Sequence, residues 1–143
     1  MRMKKITFLI LSYLVFSASV KAQDTCATAL TITAGTHTVA AVDGSEIPDP
    51  ICAANGTGAS YGEWYSFTAT VDGIANITSD LPANAGGDTR VHVYTGTCGS
   101  LTCIAGNDDV DVNASNYLSN TTFAVTMGTT YIIAWDDRWD AGG

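Results

Sequence analysis

An all-β fold, an antiparallel sandwich of the jelly-roll kind, is what this sequence predicts, on three observations. Beyond residue 22, apolar residues recur at alternate positions in short runs, as in Glu63-Trp64-Tyr65-Ser66-Phe67-Thr68-Ala69, the pattern of a strand with one face in a core. Turn clusters such as Val71-Asp72-Gly73, Pro82 to Gly87 and Met127-Gly128 separate these runs closely, leaving no room for crossover helices. Thr, Ala, Gly, Asn and Ser abound while charged residues make up only 14%, which suits a β-rich module with polar turns.

The first element is not part of that fold. Residues 1–22 place Arg2, Lys4 and Lys5 before an apolar run from Ile6 to Phe16 and end in small residues, the arrangement of a secretory signal peptide cleaved near Ala22. Residues 23–143 then form a single module of about 121 residues, long enough for its own core. Strands are expected over Leu30 to Ile32, Thr36 to Val42, Glu63 to Val71, Ala75 to Ser79, Arg90 to Tyr94, Cys103 to Gly106, Thr121 to Thr126 and Thr130 to Trp135. Strand alternation sends Val91 and Val93 to the core and Arg90, His92 and Tyr94 to the other face. In the same way Tyr65, Phe67 and Ala69 point inward and Trp64, Ser66 and Thr68 outward. The chain stops in a turn directly after a strand, so the expectation is a fragment that lacks the last strand of its sandwich.

Cleavage of the leader removes four of six cations and leaves Arg90 and Arg138 against 14 acids, a formal charge of −12. Binding to nucleic acid or to an anionic membrane needs Lys and Arg to meet phosphates, so both are excluded as partners, and no later run is long enough to span a bilayer. A cation, a neutral glycan or an extracellular protein remains. Four cysteines in an exported chain read as two disulfides. Three pairings exist; the short spacing across a Gly-Ser turn favours Cys98 with Cys103 and Cys26 with Cys52. Zinc is disfavoured, because CxxC spacing is absent and His37 and His92 complete no ligand pattern.

Catalytic motifs fare poorly. Gly58-Ala59-Ser60-Tyr61-Gly62 matches a nucleophile elbow by letter, but a strand follows it where a helix is required. No HExxH occurs, and both histidines read as ordinary strand residues. The paired carboxylates Asp108-Asp109 and Asp136-Asp137 could act as acid and base only across a cleft. A metal reading is stronger: Asp108 is followed by Asp109, Asp111 and Asn113, hard oxygen donors at alternate positions of a loop, which calcium favours. Solvated loop charge is the commoner role of such acids. Asp43 and Asp88 are candidates for further ligands. A sugar-binding platform is expected from the tryptophans, chiefly Trp64 and Trp139, with Asp136, Asp137 and Arg138 as hydrogen-bonding neighbours. Sequons at Asn55, Asn76, Asn113 and Asn120 matter only in a host that glycosylates them.

The segments "EWYSFTA", "DTRVHVYTGTCGSLTCIAGNDD" and "TYIIAWDDRW", in this order, resemble the bacterial pre-peptidase C-terminal (PPC) domain and its secreted relatives. The resemblance runs from about Cys26 onward and is most specific in the D-T-x-x-x-x-Y-x-G stretch followed by N-D-D. It implies a jelly-roll-like sandwich that serves as a noncatalytic accessory or binding module, and it makes Asp88 and Asn107-Asp108-Asp109 recurrent loop positions. The expected function is therefore a noncatalytic, secreted or cell-surface binding module of a larger extracellular protein, with a glycan or protein ligand and calcium stabilisation. The alternative is the N-terminal accessory domain of an extracellular hydrolase or peptidase whose catalytic domain lies beyond Gly143.

Overall fold

The computed structural model describes residues 23–39 and 41–139; the leader with its expected cleavage site, and the last four residues, lie outside them. Among the described residues seven strands form: β1 (Leu30–Ile32), β2 (Gly62–Thr68), β3 (Gly73–Thr78), β4 (Arg90–Thr97), β5 (Ser100–Asn107), β6 (Asn120–Val125) and β7 (Thr130–Asp136). The larger sheet runs β1-β2-β7-β4-β5, antiparallel except for the β1–β2 pair, and β3 with β6 forms the second. This is the all-β sandwich that the alternation predicts. Thr36 to Val42 is the exception: its described residues form no strand, although Val39 still packs on the core. β-Branched residues favour a strand only where a neighbouring ladder accepts it.

The core lies between the sheets. Tyr65 of β2, Val91 and Val93 of β4 and Tyr131 and Ile133 of β7 meet Phe123 and Val125 of β6, with Ala75 and Ile77 of β3 half-buried beside them. These are the inward positions of the period-two pattern. On the outward face of β2, β4 and β7, Trp64, Arg90, His92, Tyr94 and Asp136 do not face water. Residues 43–56 fold back across them: Trp64 Nε1 donates to Glu46 O at 2.8 Å, Tyr94 Oη donates to Pro50 O at 2.8 Å, and Cys52 N donates to His92 Nδ1 at 3.1 Å. Trp64, expected outside, is therefore 0% exposed and stacks on Tyr94 with ring centroids 6.1 Å apart.

The disulfides differ from the favoured pairing. Cys26 bonds Cys98 and Cys52 bonds Cys103, with Cα–Cα distances of 5.5 and 5.4 Å. Register explains why the near neighbours stay apart. Cys103 lies opposite Tyr94, whereas Cys98 sits in the hairpin tip beyond the Thr97–Ser100 pair. At roughly 3.3 Å per residue, that places the two cysteines beyond disulfide reach. The bonds made instead tie the N-terminal segment and the covering segment to the β4–β5 hairpin. In the chain-entropy model, closing loops of 72 and 51 residues stabilises by about 4 kcal/mol each.

Under the covering segment lies a buried ionic cluster. Arg90, His92 and Asp136 are all within 1% of complete burial. Arg90 donates through Nε to both oxygens of Asp136 at 3.0 Å and through Nη2 to Oδ2 at 2.7 Å. Its Nη1 donates to the carbonyls of Ala54 and Gly56 at 3.2 and 2.6 Å. His92 Nδ1 accepts from the backbone, so its Nε2–H is the donor to Asp136 Oδ2, at 2.8 Å. Burial alone would raise the Asp136 pKa; hydrogen bonds from His92, Arg90 and the Arg138 backbone outweigh it and hold the carboxyl below its ordinary range.

Two predictions follow from this packing. A methyl group on Gly106 of β5 would lie 2.6 Å from the Cys52 carbonyl carbon and 2.8 Å from Ala53 N, both backbone atoms with no rotamer to yield. Gly106→Ala is expected to cost about 1–3 kcal/mol in urea unfolding, and unchanged stability would contradict the position of the covering segment. Asp136→Asn, which leaves Arg90 buried without its anion, is expected to cost about 3–5 kcal/mol at neutral pH. Because the folded pKa lies below the unfolded value of about 3.9, the wild-type advantage is complete above that value and disappears as pH falls through the folded pKa. Unfolding measured from pH 7 down to pH 2 checks the sign.

Candidate functional site

Strand polarity gathers the acidic loops at one end of the sandwich. β4 begins, and β5 and β7 end, on the same side, so Asp88 (before β4), Asp108 and Asp109 (after β5) and Asp137 to Trp139 (after β7) become neighbours. A buried hydroxyl network holds the loops in place. Ser119 Oγ lies within hydrogen-bond distance of the carbonyls of Thr89, Asn107 and Asp108, and Ser119 N donates to Ser79 Oγ at 2.9 Å. Thr89 N donates to Tyr117 O at 3.0 Å, which fixes the residue next to Asp88.

Asp88, Asp108 and Asp109 each present a carboxylate oxygen, all within 4.8 Å of one another. Asp108 is buried; both of its oxygens accept from Trp139 Nε1, at 3.0 and 3.2 Å, and Oδ2 also accepts from Asn55 Nδ2. Asp88 Oδ1 is buried and has no hydrogen-bond partner among the described residues. Burial, followed by the charges of Asp109 and Asp108, pushes the Asp88 pKa up to about 6. Burial and then the Asp108 charge raise Asp109 as well. Asp88, Asp109, Tyr117 and Trp139 line a recess of about 190 Å³ beside the trio. The Arg138 guanidinium stacks on Trp139, 4.2 Å from the ring centroid.

Of the four expected metal ligands, the structure brings two together. Asp108 and Asp109 converge and Asp88 joins them, but Asp111 and Asn113 do not take part. Asp111 caps the short 3-10 turn Val112–Ala114, its Oδ1 accepting from Asn113 N at 3.0 Å and Ala114 N at 3.3 Å. That cap turns the carboxylate onto its own loop and away from Asp109. Asp43 belongs to a second trio, with Asp24 and the buried Glu63.

The expected sugar platform does not assemble as a unit. Trp64 and Asp136 are both inside, for the reasons given above. Asp137 serves as a brace, its Oδ1 accepting from Ser60 N at 2.6 Å and Tyr61 N at 2.8 Å. Trp139 is exposed, and Arg138, like Asp137, is half-buried. Ser60 of the elbow-like motif is engaged through its backbone by Asp137, and His92 is bound to Asp136 and the covering segment, so the two share no hydrogen bond. Tyr117 stands in no motif and Asn55 only in a sequon, which says nothing of this site; the folding of separate loops brings them here.

A carboxylate trio of this kind repels itself, and Asp88→Asn separates that effect from ordinary loop charge. The folded pKa of Asp88, about 6, exceeds the unfolded value near 3.9, so wild-type stability falls as pH rises between the two and stays lowered above them. In chelator, Asp88→Asn is expected to melt higher than wild type at pH 8, and the difference is expected to vanish near pH 4. A lower melting temperature for the variant at pH 8 would contradict this. Compared with known protein families, with curated proteins and with solved structures, the chain finds no match.

Proposed function

We propose that this chain is a noncatalytic extracellular binding module of the PPC-like kind, with calcium on Asp88, Asp108 and Asp109 and its ligand surface at the same end. The observation that carries the reading is the convergence of three carboxylates around a buried, unpartnered Asp88 oxygen. Oxygen-only ligands at this spacing suit a hard cation; calcium takes six to eight oxygens, so carbonyls or water would complete the shell. A divalent ion would also relieve the mutual repulsion that raises the Asp88 and Asp109 pKa values. Two disulfides support an exported protein, since such bonds persist in oxidising compartments. Among the described residues no helix is long and apolar enough to cross a membrane. The ligand is a glycan or an extracellular protein.

Calorimetric titration and thermal melting test the cation. Calcium at about 100 times its Kd is expected to stabilise the folded chain by about 2.7 kcal/mol. Magnesium, which resists dehydration, is expected to do much less. Asp88→Asn should remove most of the calcium response while leaving a folded protein. Absence of both heat and a melting shift with calcium would overturn the reading.

A further inference from the structure

The recess next to the carboxylate trio has a chemistry of its own. It is lined by two half-exposed aromatic rings, Trp139 at 42% and Tyr117 at 40% exposure, and by two carboxylates, Asp88 and Asp109. Asp88 also carries a buried oxygen, Oδ1, that lacks a hydrogen-bond partner among the described residues. The space, about 190 Å³, is smaller than the clefts of ~300–1,000 Å³ that take drug-sized molecules, and suits a single compact group.

A neutral sugar needs donors as well as acceptors from its site. The side chains lining it offer acceptors, ring faces and a single hydroxyl donor, that of Tyr117, since the Trp139 Nε1–H is already given to Asp108. An organic cation is the complement of such a surface: aromatic faces attract it through their quadrupole, and carboxylates supply the opposite charge. Trp139 already receives a cation, the Arg138 guanidinium. That one positive charge is outnumbered by the three carboxylates beside it.

We propose that the recess formed by Asp88, Asp109, Tyr117 and Trp139 binds an alkylammonium group, either the head of a small quaternary amine or a lysine side chain on a partner protein. The inference goes beyond the calcium reading and stands without it, since the recess is lined by the same groups whether or not the trio holds calcium. Calcium, where it binds, draws on Asp88 and Asp109 too and competes with the ammonium.

The test uses the folded chain in chelator, with the Trp139 indole signal in NMR as readout. Choline is titrated against its uncharged carbon isostere, in which a tert-butyl group replaces the trimethylammonium, and against glucose. Choline is expected to bind roughly tenfold tighter than the isostere, and Trp139→Leu and Tyr117→Leu are each expected to weaken it by a similar factor. Both variants alter half-exposed side chains, and melting curves verify that they fold. A short lysine-bearing peptide forms the second arm: tighter binding than choline assigns the site to a protein partner, and weaker binding assigns it to a free amine. Equal affinity for choline and isostere, indifference to both aromatic substitutions, or a preference for glucose would overturn the proposal. Repeating the choline titration with calcium separates the two readings. Loss of choline affinity marks competition at shared carboxylates, whereas ammonium binding that calcium leaves unchanged counts against calcium at the trio alone.

Discussion

The buried charge cluster of Arg90, His92 and Asp136 is the constraint on which the remaining architecture depends. An arginine and an aspartate removed from water must satisfy every donor and acceptor between them or destabilise the fold by several kcal/mol. Within the sheet, Asp136 answers only part of the guanidinium. The carbonyls of Ala54 and Gly56 accept from its Nη1, and the backbone N–H groups of Cys52 and Ala53 meet the imidazole. The covering segment is therefore held by polar groups that have no alternative partner in a dry environment. Once it lies there, Trp64 and Tyr94 are enclosed with it, and the stretch of β2, β4 and β7 beneath it is buried on both faces. The disulfide from Cys52 to Cys103 and the close approach of Gly106 tie the same segment to β5.

The acidic end inherits its geometry from this arrangement. Asp136 is the last residue of β7, and its Oδ1 accepts from Arg138 N at 3.0 Å, which sets the direction of the chain as it leaves the sheet. Trp139 then reaches across to Asp108 and roofs the trio. Ser119, fully buried between the loops, gathers the segments that bear Asp88 and Asp108. The result is a concentration of negative charge held together by hydrogen bonds made elsewhere. Such a surface keeps its ability to attract a cation because the protein does not neutralise it internally; of the two cations beyond the leader, Arg90 is committed to Asp136 and Arg138 to the Trp139 ring.

Much of the fold is legible in the sequence because strands advertise themselves locally. The period-two pattern in Glu63 to Ala69 and in Arg90 to Tyr94 names the inward residues correctly, since backbone geometry alone sends neighbouring side chains to opposite faces. The same rule puts Trp64, Arg90, His92 and Tyr94 on the opposite face, where they do lie, but leaves their burial unread. It tells which face a side chain occupies but not whether another part of the chain covers that face. The aspartates divide in the same way. Asp108 and Asp109 are adjacent and travel together, while Asp111 is taken by a local cap and Asp88 arrives from the far end of the β4–β5 hairpin.

The sequence by itself determined the all-β class, the strand positions apart from residues 36–42, the inner core and the presence of two disulfides, because each follows from local periodicity or from composition. The tertiary structure alone decided which cysteines pair, which aromatic rings and charges are buried, and which carboxylates converge. Those outcomes depend on strand register and on one long segment folding back over the sheet. Both are set by hydrogen bonds between residues 30 to 50 positions apart, a distance over which no sequence period carries information.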